Sequence, residues 1–75
     1  MEIRIIEILS LVTKLSVDEL TKSRTVEKLW DSYAMLEIVI ALEDEFDISL
    51  EPDEIAQMTS VDNVINLISG KVNEA

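Results

Sequence analysis

The sequence predicts an all-α protein, a small antiparallel four-helix bundle. It has three main helices, a short third helix and a long loop between the first and second. Three observations carry that expectation. One Gly and one Pro in 75 residues leave too little punctuation for a chain of hairpins. Apolar residues recur at helical spacing in separate stretches. The length suits one domain, residues 1–75, with one modest core, since so short a chain buries only roughly 60% of the surface its unfolded form exposes.

The first helix is expected from Glu2 to Leu15, where Ile5, Ile8, Leu9, Val12 and Leu15 share one face. The connection from Ser16 to Asp31 is long for so small a domain unless it contains short turns. Ser16 with Glu19 three residues on has the form of a capping box, and Thr25 to Lys28 suits a second turn. Leu20, Val26 and Leu29 are the candidates to pin this connection to the bundle, and Trp30 is read as its packing anchor. The second helix is expected from Ser32 to Phe46. Its core stripe is Met35, Ile38, Leu42 and Phe46, with Val39 beside it. Pro52 suits the start of a short helix over Asp53 to Gln57. The last helix is expected from Val61 to Ile68, with Val64, Ile65 and Ile68 inward and Gly70 as its stop.

Composition removes several functions. The chain has no cysteine and no histidine, so disulfides, thiolate zinc sites and the usual general base are all missing. With little concave surface in so short a chain, an enzyme is not expected, and no catalytic residue is assigned. Sixteen acids against six bases give a net charge of −10, the wrong sign for nucleic acid or an anionic membrane surface. No apolar stretch approaches the roughly 20 residues of a membrane span, and Glu2 and Glu7 stand where a secretory signal would carry bases. A cytoplasmic location is the expectation. No Lys or Arg stands between Lys28 and Lys71, while acids recur throughout that span. It is either a solvated surface that aids solubility or a steering surface for basic partners. Asp44, Asp47 and Glu51 lack the ligand spacing and central Gly of a calcium loop, so no metal site is expected. The inner stripes are used up within one bundle, which leaves a monomer as the expectation.

The second helix holds the candidate site. Asp31 is a good N-cap, which puts Ser32 at the first helical position. Its hydroxyl stands at the positive end of the helix dipole, where a phosphate would meet free backbone N–H groups. An Asp-Ser pair at a helix start is by itself commonly just a cap. Tyr33, Glu37, Ile40 and Asp44 fall opposite the core stripe and mix apolar with acidic side chains. Such a stripe suits contact with another protein, and equally an amphipathic helix with ordinary surface apolars.

The run from Trp30 to Phe46, WDSYAMLEIVIALEDEF, resembles the prosthetic-group helix of acyl carrier proteins. The family pattern is Asp-Ser-Leu, an apolar helix with Glu at the fifth position after Ser, then Ala-Leu-Glu-Glu-Glu-Phe. Ile48 to Glu54 is similar to the family's connection into its third helix, and Thr59-Ser60-Val61 to the start of its last. The first helix is similar more weakly, so the resemblance spans nearly the whole chain. Three departures stand out. Tyr33 occupies the usual Leu position, Ala34 replaces the common Asp, and Leu29-Trp30 stand where many members have a Gly. Tyr33 marks either a dedicated partner set or a cover for Trp30.

The resemblance implies a carrier. A phosphopantetheinyl transferase would attach 4′-phosphopantetheine covalently to Ser32, with Asp31 flanking, and the arm's thiol would hold acyl groups as thioesters. Glu37, Ile40, Glu43 and Asp44 match positions that the family uses to meet partner enzymes, and Tyr33 lies on the same face. Those partners would be acyl-activating, condensing and acyl-transfer enzymes with basic docking patches, in fatty acid, polyketide or related lipid synthesis. Two alternatives stay open: a carrier of an aminoacyl unit such as D-alanyl, and an acidic helical interaction module without a cofactor.

Overall fold

Helices form where the apolar spacing places them, and one more forms in the long connection. A computed structural model describes residues 1–74, with side chains to Val72. Its elements are α1 (Glu2–Thr13), α2 (Val17–Lys22), α3 (Ser32–Phe46), α4 (Pro52–Ala56) and α5 (Val61–Glu74). α1 packs against α2, α3 and α5, so it is the hub of the bundle. α1 and α3 run antiparallel: Arg4 near the start of α1 bonds Glu45 near the end of α3 at 2.8 Å. The core brings together Ile5 and Leu9 of α1, Leu20 of α2, Ile38 and Leu42 of α3, and Val61, Val64 and Ile68 of α5.

The capping box at Ser16 is real, and it starts a helix rather than one turn. Ser16 Oγ accepts the Glu19 N–H at 3.0 Å while Glu19 Oε1 accepts the Ser16 N–H at 3.2 Å. Two orphan donors are satisfied, and α2 runs on to Lys22 with Leu20 fully buried. The long connection is therefore shorter than the sequence suggests. The second expected turn is a non-helical one at 27–28, and Val26 is exposed rather than pinned. Leu29 and Trp30 pack half-buried against the core.

Three helices differ from expectation in where they begin or end. α1 stops at Thr13, because Lys14 adopts a left-handed conformation (φ 65°) and its N–H closes on the Ser10 carbonyl. α4 starts at Pro52, where a missing N–H costs nothing and φ is already helical. α5 continues through Gly70, whose φ is not positive. Gly stops a helix only where the chain needs the left-handed region. Here the helix goes on, so that Val72 packs on the core and Lys71 reaches α4. At the other end of α5, Ser60 Oγ accepts the Asn63 N–H at 3.2 Å and caps the helix.

Candidate functional site

Local capping fixes the position of Ser32. Asp31 sits in the extended region (φ −88°, ψ 179°), and its Oδ1 accepts the Ala34 N–H at 2.8 Å. Its carbonyl accepts the Met35 N–H at 3.0 Å. One oxygen of the carboxylate is thereby committed to the backbone. Ser32 is the exposed first residue of a 15-residue helix. The Ser32 and Tyr33 amides head the helix beyond those two bonds, as the first amides of any helix do. A phosphate ester on Ser32 Oγ fits this place: the side chain is accessible, and the helix end favours negative charge.

Two pockets flank the helix start, with Trp30 and Asp31 lining both. The smaller, of about 160 Å³, is the one Ser32 lines. Trp30, Met35, Ile55 and Met58 give it apolar walls, joined by Lys28 and Thr59. Trp30 holds its orientation by donating its indole N–H to Met35 Sδ at 3.3 Å. Lys28 has φ 58°, and its N–H bonds the Thr59 carbonyl at 2.9 Å. That bond ties the loop before Ser32 to the residues that lead into α5. The second pocket, of about 350 Å³, lies between the end of α1 and the start of α3, with Val12, Leu15, Leu29 and Tyr33 among its walls.

The outer face of α3 carries Tyr33 and Ile40, 73% and 66% exposed, with Glu37 and Asp44 exposed among them. Tyr33 is too open for a side chain that covers Trp30. The sequence reading missed Leu36, which is 64% exposed on the same face. It stands three residues after Tyr33 and four before Ile40, and that spacing was the available signal. Glu43 stands apart from the group. It is half-buried, and its Oε2 accepts the Leu50 N–H at 2.8 Å. Its place in the helix turns it toward the chain leaving α3, so it folds the connection to α4 instead of facing outward with Glu37 and Asp44.

Comparison with known proteins gives two kinds of similarity. Residues 4–68 match the family described as the phosphopantetheine attachment site. The chain is 36% identical over 67 residues to the acyl carrier protein of Petrotoga mobilis, an alignment covering 84% of this chain and 79% of that protein. It is 39% identical over 44 residues to the acyl carrier protein of Clostridium acetobutylicum, covering 59% of this chain and 57% of that protein.

Proposed function

The chain belongs to the phosphopantetheine attachment site family, and from that premise we propose that Ser32 bears the arm and that the protein carries acyl intermediates of fatty acid, polyketide or related lipid synthesis. The family is one of carriers, not enzymes, and phosphopantetheine is its prosthetic group. The observation that carries the assignment to Ser32 is its place: an exposed hydroxyl at the first position of α3, inside the matched span and on the rim of an apolar pocket.

Each residue has a role in this reading. Asp31 sets the helix start and so the direction of the Ser32 side chain. A phosphopantetheinyl transferase would join Ser32 Oγ to the phosphorus of the arm: the pyrophosphate bond of coenzyme A breaks, adenosine 3′,5′-bisphosphate leaves, and the hydroxyl proton passes to the transferase. The arm supplies a terminal thiol on which acyl groups ride as thioesters. Tyr33, Leu36, Glu37, Ile40 and Asp44 form the face presented to partner enzymes, where apolar contact gives hold and the acids steer basic patches toward Ser32. Glu43 serves that face indirectly, through the connection it folds. The pocket beside Ser32 shelters the start of an apolar cargo, each buried methylene contributing up to about 0.8 kcal/mol. Monomeric action in the cytoplasm belongs to the same reading. None of the described helices is long and apolar enough to cross a membrane.

The deciding experiment is intact mass after incubation with coenzyme A and a broad-specificity phosphopantetheinyl transferase. The wild type is expected to gain one phosphopantetheine, and Ser32→Ala none. A folded wild type that gains nothing beside an active transferase, or a Ser32→Ala variant that still gains mass, would overturn the assignment. An aminoacyl carrier would gain the same arm and separate only at loading, by accepting an aminoacyl and refusing an acyl unit from the respective activating enzymes.

A further inference from the structure

The pocket beside Ser32 has one wall that is fastened differently from the others. Trp30 and Met35 are held by the start of α3 and by each other, whereas Ile55 and Met58 come from α4 and the residues just after it. α4 is five residues long and none of them is buried. Its neighbours Leu50 and Met58 are buried, so the segment is anchored at its ends and spans between them.

One side chain reaches across to hold the middle. Both carboxylate oxygens of Glu54 accept from Lys71 Nζ on α5, each at 2.8 Å. The two side chains are 22% and 23% exposed, less than those of any other ion pair described, the nearest being Arg24 and Asp62 at 33% and 38%. Arg4, Lys22 and Arg24 place their pairs on α1, α2, α3 and α5. Lys71 is the one base in the sequence after Lys28, and among acids that outnumber it many times over it stands against Glu54.

We infer that the Glu54–Lys71 pair is a latch on the α4 wall of the pocket. Closed, it keeps the pocket at about 160 Å³, enough for only the first part of an apolar chain. Released, it lets Ile55 swing away from Trp30 and Met35 while the buried Met58 stays as the pivot, and a longer chain is admitted beside them. Glu54 and Lys71 are positioning residues: neither lines the pocket, and both act through Ile55, the half-buried wall residue of α4. The latch rests on the carrier reading of Ser32 for its purpose, and on the fold alone for its mechanics.

Lys71 is the partner to change. Glu54 Oε1 also accepts the Glu51 N–H at 2.8 Å, so substituting Glu54 would damage the cap of α4 as well. Lys71→Met keeps an unbranched stem of similar reach and removes the charge. Amide exchange by NMR on the unmodified chain reads the mechanics. Lys71→Met is expected to speed exchange at Ile55 several-fold and to leave Leu9 and Leu42 unchanged, with Lys71→Arg restoring protection. Unaltered exchange at Ile55, or a uniform loss across the molecule, would overturn the latch. The purpose is read on protein carrying an octanoyl arm. The shift of the Met58 methyl between unladen and octanoyl forms is expected to grow in Lys71→Met and to return in Lys71→Arg. An equal shift in both proteins would overturn the gating role. Failure of Ser32 to load at all would defeat the carrier reading while the exchange result on the unmodified chain still stood, so the two failures are distinguishable.

Discussion

α2 and α4 are both short helices set in the connections on either side of α3, yet they are held by opposite means. A capping box closes the start of both helices, whereas α2 alone puts a side chain, Leu20, into the core with no exposed surface. Just after it, Arg24 donates Nε to Asp62 of α5 at 2.7 Å and a terminal nitrogen to Glu2 of α1 at 2.6 Å. α4 buries none of its own residues and is held in the middle by Glu54 and Lys71. The difference separates two tasks. The segment before Ser32 is part of the frame, because it must present the helix start in one orientation. The segment after α3 forms a wall of the pocket that is buried only at its ends, at Leu50 and Met58, and is held in its middle by an ion pair, as a wall that opens for cargo would be.

The largest effect expected from this contrast is on stability. Leu20→Ala should cost about 3 kcal/mol, since it removes a fully buried side chain and leaves a cavity. In a domain whose total stability is of order 5–15 kcal/mol that is a large share. Ile55→Ala, at a half-buried position of α4, should cost under about 2 kcal/mol. Urea unfolding of both variants checks the order, and equal losses would erase the distinction between frame and wall. Arg24→Met comes next. It should lower the urea midpoint by less than Leu20→Ala does, because the guanidinium pairs lie near the surface and water screens them. A smaller change in the other direction is expected at Gly70. It is an exposed helical residue, and a Cβ built there meets nothing within 4 Å. Gly70→Ala should therefore stabilise the protein by about 0.5–1 kcal/mol, raising the melting temperature and steadying the turn of α5 that presents Lys71.

The helical class and the core stripes are legible in the sequence because both depend on local spacing, whereas Ser32 is a candidate through the resemblance of its helix to a known family, its local signal being that of a cap. Ile5, Leu9, Ile38, Leu42, Val64 and Ile68 follow the helical period and are buried as that period requires. What stayed hidden depends on partners distant in sequence. Gly70 reads as a stop until Lys71 is seen to bond a residue 17 positions earlier. Glu43 reads as a position that meets partners until the chain turns back and offers it the Leu50 N–H. Leu36 has its signal in the sequence, since its spacing places it between Tyr33 and Ile40 on the outer face of α3. The pocket at Ser32 had no local signature, since its walls come from the loop before α3, from α3 and from α4 with its exit.

The finest test of the contrast is titration, because an apolar anchor has no proton to gain and an ion pair does. The Glu54 carboxyl lies below the ordinary glutamate value, chiefly because Lys71 donates to it and secondly because the Glu51 N–H does, with burial opposing both. Glu51 and Asp53 on the same segment add like charge nearby. The folded value being the lower one, the contribution of Glu54 to stability is present above the unfolded value of about 4.3 and is lost as pH falls through the folded value. Side-chain carbon NMR of the wild type should give a Glu54 midpoint below that reference, and Lys71→Met should move it upward. As pH is lowered, the Ile55 amide should lose exchange protection before the Leu20 amide does, since the Leu20 side chain is held by burial and that of Ile55 is only half-buried. If Leu20 lost protection at the same pH, α2 and α4 would be opening as one unit, and the assignment of one to the frame and the other to a movable wall would fail.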